Sequence, residues 1–192
     1  MGQGIGFTEK AVQIPYPVDM DTEMREDMIA SECIFFHTSW IRDHPWSYPE
    51  IDTSLLLDSE GVFATQYSYG PVGQVACSYG AWAEFQEELC RHFVGVTMEQ
   101  MREDPKVFHG RALFFHLVAQ RDSEGIICPP AVRLLANDFR CASTTKNSEG
   151  TLEASFLQKM RAEDKSLFAD IYTELRDGTY YTARMGGLID FS

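Results

Sequence analysis

The pattern of hydrophobic and polar residues divides the chain into short strands and helices. Residues 5–16 mix apolar and polar side chains as a first strand does, and residues 33–41 form an aromatic, apolar run typical of a buried strand. Further apolar runs at 112–120 and 126–128 are also predicted as strands, the second of them broken by two prolines at 129–130.

One turn sequence recurs between the apolar runs. Asp-Ser-Glu-Gly occupies 58–61 and 122–125, and Asn-Ser-Glu-Gly occupies 147–150. At 58–61 it predicts a hairpin in which Gly61 adopts a positive φ. The flanking sequences do not match one another, which indicates repeated turn chemistry rather than an internal repeat.

Capping residues predict two helices in the middle of the chain. Ser78 is placed to cap a helix over 79–93 that ends at Gly95 and buries one aromatic face. Thr97 and Gln100 have the spacing of a capping box, which predicts a second, shorter helix.

The C-terminal third predicts a short helix at 131–137 and a long helix at 152–176. A break near Asp164 divides the long helix, and Gly178 ends it. Residues 179–184 are predicted as a short strand before a loose tail. The helical spacing predicts that four side chains are buried, namely Leu167, Phe168, Ile171 and Leu175.

Strands and helices alternate irregularly, and hairpins separate the strands. This order favours an α+β fold with a mixed or antiparallel sheet and three to five helices. No linker or low-complexity segment divides the 192 residues, so we predict one compact domain over 1–192. Residues 1–4 and 186–192 are expected to be flexible.

Charge is unevenly distributed along the chain, whose net charge is −13. All of the excess lies in residues 1–105, with 5 Lys and Arg against 18 Asp and Glu. This part should repel nucleic acid and anionic membrane surfaces. The five cysteines are odd in number and lack metal-site spacing, and no secretory signal or membrane-length apolar run is present. We therefore expect free thiols, a soluble intracellular (cytoplasmic) protein, no cofactor and no metal.

Two similar segments raise one catalytic hypothesis. Ile34-Phe-Phe-His37-Thr-Ser39 and Leu113-Phe-Phe-His116 each place a histidine after an aromatic pair. On a strand, His37 and Ser39 would share a face. This pattern resembles that of two-histidine phosphoesterases. The resemblance implies that one histidine acts as the base, the other acts as the acid, and hydroxyl groups hold the phosphate. Val118 departs from the pattern, because it stands where the second hydroxyl belongs.

Two other chemistries are weaker alternatives. Cys77 precedes the predicted helix at 79, and a helix N-terminus favours a thiolate nucleophile, with His92, His109 or His116 as the base. A buried core cysteine is the simpler interpretation. A metal site from His37, Asp43 and His44 matches no known ligand spacing, and His44 beside Pro45 is more typical of an exposed loop.

Aromatic side chains and prolines are concentrated between residues 34 and 48. Trp46 and Tyr48 lie in this segment together with Arg42, and such side chains are enriched at interface centres. The same aromatics could instead pack back onto the protein as a small core. With no catalytic motif in the sequence, we expect a protein–protein interaction or assembly domain without catalysis. The alternative is a divergent phosphodiester hydrolase that uses His37, Ser39 and His116.

Overall fold

The computed structural model describes residues 2–15, 33–37, 61–67, 75–103, 113–118, 125–127 and 129–191. Within these ranges the fold combines helices with small antiparallel sheets, which confirms the predicted α+β class. The described ranges contain six α-helices, one of them a single turn that the sequence did not indicate. The strands are β1 (Gly2–Pro15), β2 (Cys33–His37), β3 (Gly61–Tyr67), β4 (Val75–Ser78), β5 (Gly125–Ile127), β6 (Lys146–Asn147), β7 (Gly150–Thr151) and β8 (Ile189–Phe191). The helices are α1 (Tyr79–Leu89), a π-helix (Cys90–Val94), α2 (Met98–Glu103), α3 (Phe115–Val118), α4 (Pro129–Thr144), α5 (Leu152–Ala162) and α6 (Ser166–Met185).

The long strand β1 organises the main sheet. Its six strands run in the order β2-β3-β1-β8-β5, and β4 pairs with β1 beside this path. Ile5 is paired with Val75 of β4 and with Phe191 of β8, so these two strands lie on opposite sides of β1. All pairings in the described sheet are antiparallel.

Local capping signals confirm the predicted helix boundaries in the middle of the chain. The Ser78 side chain accepts a hydrogen bond from the Ala81 backbone N–H at 3.1 Å, and Gly95 ends the π-helix with a φ of 82°. Thr97 and Gln100 form the reciprocal capping box, with bonds of 3.2 Å and 2.9 Å. The break near Asp164 also occurs, because α5 ends at Ala162 and Asp164 has a φ of 60°.

The prediction of a strand at 112–120 is wrong for residues 113–118, the part of this segment that the structure describes. Leu113 and Phe114 form a turn, and α3 follows. Phe114 has a φ of 61°, and its backbone N–H donates to Asp138 Oδ2 at 3.0 Å. Its fully buried ring meets those of Phe93 and Phe139 at 4.7 Å and 4.8 Å. Aromatic packing together with this hydrogen bond holds a backbone conformation that a strand cannot adopt.

The predicted end of the long helix is also wrong. Gly178 lies inside α6, which continues to Met185, so residues 179–184 are helical rather than a strand. The missing side chain of Gly178 leaves room for the Phe7 ring of β1. Close helix–sheet packing, rather than helix termination, therefore accounts for this glycine.

The C-terminal tail differs from the loose segment that we expected. Residues 189–191 form β8, and all three are buried. Thr8 fixes this tail, because its Oγ1 donates to the Leu188 carbonyl at 3.0 Å and accepts from the Leu188 N–H at 2.9 Å. At the other terminus, residues 2–4 already belong to β1 and pair with β4.

The core of the described residues is built around aromatic rings. Tyr172 of α6 is fully buried, and the rings of Phe93, Phe114, Phe139 and Phe156 lie 5.1–6.1 Å from its own. Among the four side chains predicted as buried on α6, Phe168, Ile171 and Leu175 are confirmed. The prediction that Leu167 is buried is wrong, because this side chain is 48% exposed and its neighbour Phe168 points into the core instead.

None of the helices in the described ranges combines the length and the apolar character that crossing a bilayer requires.

Candidate functional site

A polar cleft of about 670 Å³ lies between the π-helix, the β6–β7 turn and α5. His92 reaches it from the π-helix, Glu149 from the turn, and Ser155 from the first turns of α5. The wall is completed by three further residues of α5 and by the residue after that helix, namely Gln158, Lys159, Ala162 and Glu163. The cleft brings together side chains that could in principle act as a nucleophile and a base.

Local structure explains why these residues meet. Five residues of π-helix turn the chain before Gly95, and π-helices are frequent at functional sites. The Asn-Ser-Glu-Gly turn at 147–150 connects β6 and β7, with Gly150 at a φ of 127°, and Thr151 caps α5 by accepting from the Ala154 N–H at 3.1 Å. The π-helix, the turn and the helix cap together place Ser155 beside His92, although the two residues are 63 positions apart in the sequence.

His92 and Ser155 are in hydrogen-bond contact. The His92 Nε2 atom lies 3.1 Å from Ser155 Oγ and 3.1 Å from the Leu152 carbonyl oxygen. Ser155 Oγ donates to that same carbonyl at 3.1 Å and accepts from Asn147 Nδ2 at 3.0 Å. The four groups form one closed network across the π-helix, the hairpin and α5.

The contact with the Leu152 carbonyl fits one tautomer of His92. A carbonyl oxygen can only accept, so this contact is a hydrogen bond when Nε2 carries the hydrogen. A protonated Nε2 cannot take the proton of Ser155, which in addition is only 3% exposed. The arrangement therefore supports structure rather than nucleophilic catalysis.

Burial lowers the pKa of His92 below its usual value, and the hydrogen bond with the Leu152 carbonyl offsets only part of this effect. The nearby positive charge of Lys159 lowers the pKa further. The low pKa favours the neutral imidazole near pH 7.

Two buried carboxylates, on α1 and α5, are held by basic side chains. Glu88 of α1 is 7% exposed and accepts hydrogen bonds from Lys165 Nζ at 2.6 Å and Lys159 Nζ at 2.9 Å. Burial raises the pKa of Glu88, but the two lysines outweigh it, and the pKa lies below its usual value. Glu153 is paired in the same manner with Arg176 at 2.6 Å. These ion pairs connect α5 and α6 to their neighbours.

The structure places the residues of the two-histidine hypothesis on different kinds of element. His37 is the last residue of β2 and pairs with Val62, whereas His116 lies on α3 and is 6% exposed. Ser39 lies outside the described residues. The facing strands that characterise two-histidine phosphoesterases are therefore not formed by the segment around His116.

The remaining candidate residues are divided between described and undescribed parts of the chain. Arg42, Trp46 and Tyr48 of the aromatic segment lie outside the described residues. The same holds for Asp43, His44 and His109. Within the described ranges, no group of three His, Cys, Asp or Glu side chains is arranged to hold a metal ion.

Cys77 does not have the properties of a thiolate nucleophile. It lies on β4, and burial raises its pKa, which opposes the effect that a helix N-terminus would have. Burial, followed by the charge of Glu87, raises the pKa of Cys90 to about 11. Cys77, Cys90 and Cys141 are free thiols, as the sequence indicated for all five cysteines.

No protein-family model, no curated protein and no solved structure matches this chain significantly.

Proposed function

We propose that this chain is an acidic protein-interaction or assembly domain that acts without catalysis in a reducing, intracellular compartment. The observation that carries the proposal is the concentration of aromatic side chains and prolines at 34–48, with Trp46, Tyr48 and Arg42 as binding residues. The acidic excess of residues 1–105 favours a partner with a basic surface.

The described geometry supports the non-catalytic half of the proposal. In the one serine–histidine contact described above, a hydrogen bond with the Leu152 carbonyl occupies the nitrogen that a general base would need free. The buried carboxylates Glu88 and Glu153 are each held by lysine or arginine. A phosphodiester hydrolase based on His37, Ser39 and His116 is less favoured, since His116 lies on a helix.

The experiment is a quantitative affinity capture from lysate of the source cells. The wild type is compared with a Trp46→Ala, Tyr48→Ala double variant and with Tyr79→Ala, a control that removes an exposed tyrosine from α1. We expect one or more basic proteins to be retained by the wild type and the control, and lost from the double variant. Capture that the double variant retains in full would contradict the assignment of these binding residues, and no specific capture at all would contradict the function.

A further inference from the structure

The exposed face of α4 has a composition that is unusual for an acidic chain. The only acidic side chain on this helix is Asp138, which is half-buried and accepts a hydrogen bond from the Phe114 N–H. Arg133 and Arg140 both point away from the core, and Arg133 has no ion-pair partner among the described residues. The exposed positions of α4 are Arg133, Leu134, Asn137, Arg140, Cys141 and Thr144.

The exposed face of α6 carries the opposite charge. Asp170, Glu174 and Asp177 follow one another at intervals of four and three residues, which places them on one face of the helix. Asp177 is bonded to the adjacent Arg176, whereas Asp170 and Glu174 have no ion-pair partner in the described part of the chain. Arg184 is the one exposed basic residue of α6 and lies near its C-terminal end.

The two faces are adjacent. Helices α4 and α6 pack against each other, and the ring of Tyr180 on α6 lies 6.3 Å from that of Phe139 on α4. Tyr180 is nevertheless 39% exposed. Of the four large exposed hydrophobic side chains among the described residues, three lie on these helices, namely Leu134, Leu167 and Tyr180.

We propose that this α4/α6 face is a two-fold self-association surface, which pairs with the same face of a second copy of this chain. A basic helix beside an acidic helix is self-complementary, because a two-fold axis between them lays α4 of each copy over α6 of the other. Both pairings then bring opposite charges together and cover the exposed apolar side chains. The inference does not rest on the proposed function, which concerns residues 42–48.

The dimensions of the face indicate a weak dimer. Helix α4 has 16 residues and is therefore about 24 Å long, and two helices side by side span roughly 20 Å. Two such faces bury roughly 1,000 Å² in total, slightly below the ~1,200 Å² at which standard specific interfaces begin. The dimer should thus depend on its charges and weaken with salt, since the Debye length falls from ~10 Å at 0.1 M to ~3 Å at 1 M.

The test reverses the charges of α4 or α6 and measures the oligomeric state. The measurement is sedimentation equilibrium over a range of protein concentrations at low salt. One variant carries Arg133→Glu with Arg140→Glu, and the other carries Asp170→Lys with Glu174→Lys. Each alone should be monomeric, because α4 and α6 then have the same charge. An equimolar mixture should form heterodimers, because each helix of one variant again meets an opposite charge on the other.

A matched control separates this effect from net charge. Glu84→Lys with Glu99→Lys changes two exposed carboxylates outside the face and should dimerise like the wild type. The wild-type dimer should also dissociate at high salt, a measurement that needs no variant to fold. A wild type that is monomeric throughout, a dimer that salt or either exchange leaves intact, or a mixture that stays monomeric would each overturn the inference.

Discussion

Replacing Gly178 by alanine should destabilise the protein, although alanine is the better helix former. In an exposed helix interior this change contributes about 1 kcal/mol of stability. At position 178, however, the added Cβ would overlap the Cζ, Cε1 and Cε2 atoms of Phe7, where carbon atoms pack at about 3.5–4.0 Å. Phe7 is 2% exposed, so its ring is enclosed by other atoms of the protein. Overpacking of this kind costs about 1–3 kcal/mol, and overlap with three ring atoms belongs at the upper end.

The expected net loss is therefore about 2 kcal/mol in the free energy of unfolding, measured by urea denaturation. For a chain of this size the corresponding fall in Tm is roughly 4–8 °C. Gly80→Ala is the matched control, because nothing lies within 4 Å of a Cβ at that helical position. It should leave stability unchanged or slightly higher.

A double-mutant cycle locates the cause. In a Phe7→Ala background, which is itself destabilised by the cavity it creates, Gly178→Ala should lose most of its penalty, since the clashing ring is gone. Equal effects of Gly178→Ala and Gly80→Ala, or a penalty that is independent of Phe7, would refute the helix–sheet contact.

Three further predictions concern polar groups that are buried or half-buried. Thr8→Val should cost about 1–3 kcal/mol in urea denaturation, because it leaves the N–H of Leu188 without its acceptor, and an unchanged midpoint would argue against the tail as a fixed strand. Tyr172→Phe should match or exceed wild-type stability, because its buried hydroxyl has no hydrogen-bond partner among the described residues; a clear loss would reveal a partner. The pKa of His92 is lower in the folded than in the unfolded state, where it is about 6.5. The free energy of unfolding should therefore decrease as the pH falls below about 6.5, and His92→Gln should reduce this decrease between pH 7 and 5. An equally steep dependence in that variant would assign it to another group.

Local signals in the sequence were sufficient for several elements of the fold. Ser78, the capping box at 97–100 and the turn at 147–150 act within a few residues of the backbone they control. Such short-range chemistry does not depend on the rest of the protein. Helix starts and the turn at 147–150 could therefore be predicted, as could the α+β class.

Elements decided by distant contacts could not be predicted. Gly178 resembles a helix terminus in sequence, and only the approach of Phe7 shows why the helix continues through it. The aromatic run around Phe114 resembles a strand, but the hydrogen bond to Asp138 and three surrounding rings impose a turn and a helix. Tertiary packing overrides local propensity in both places.

The cleft could not be predicted from the sequence for a related reason. His92 and Ser155 are 63 residues apart, and neither belongs to a motif. A π-helix has no reliable sequence signature, so the direction of His92 follows only from the folded chain. In the sequence, His92 is a candidate base only for Cys77, which burial makes an unfavourable nucleophile.

The most direct test of the proposed function is a calorimetric titration of the wild type with the purified protein that it captures. We expect the Trp46→Ala, Tyr48→Ala double variant to bind at least about 30-fold more weakly, since aromatic anchors at interface centres contribute about 2 kcal/mol or more. The double variant should retain the thermal stability of the wild type, and Tyr79→Ala should bind with unchanged Kd. A double variant that binds as tightly as the wild type, or that unfolds, would contradict the assignment of these aromatic residues to a binding surface.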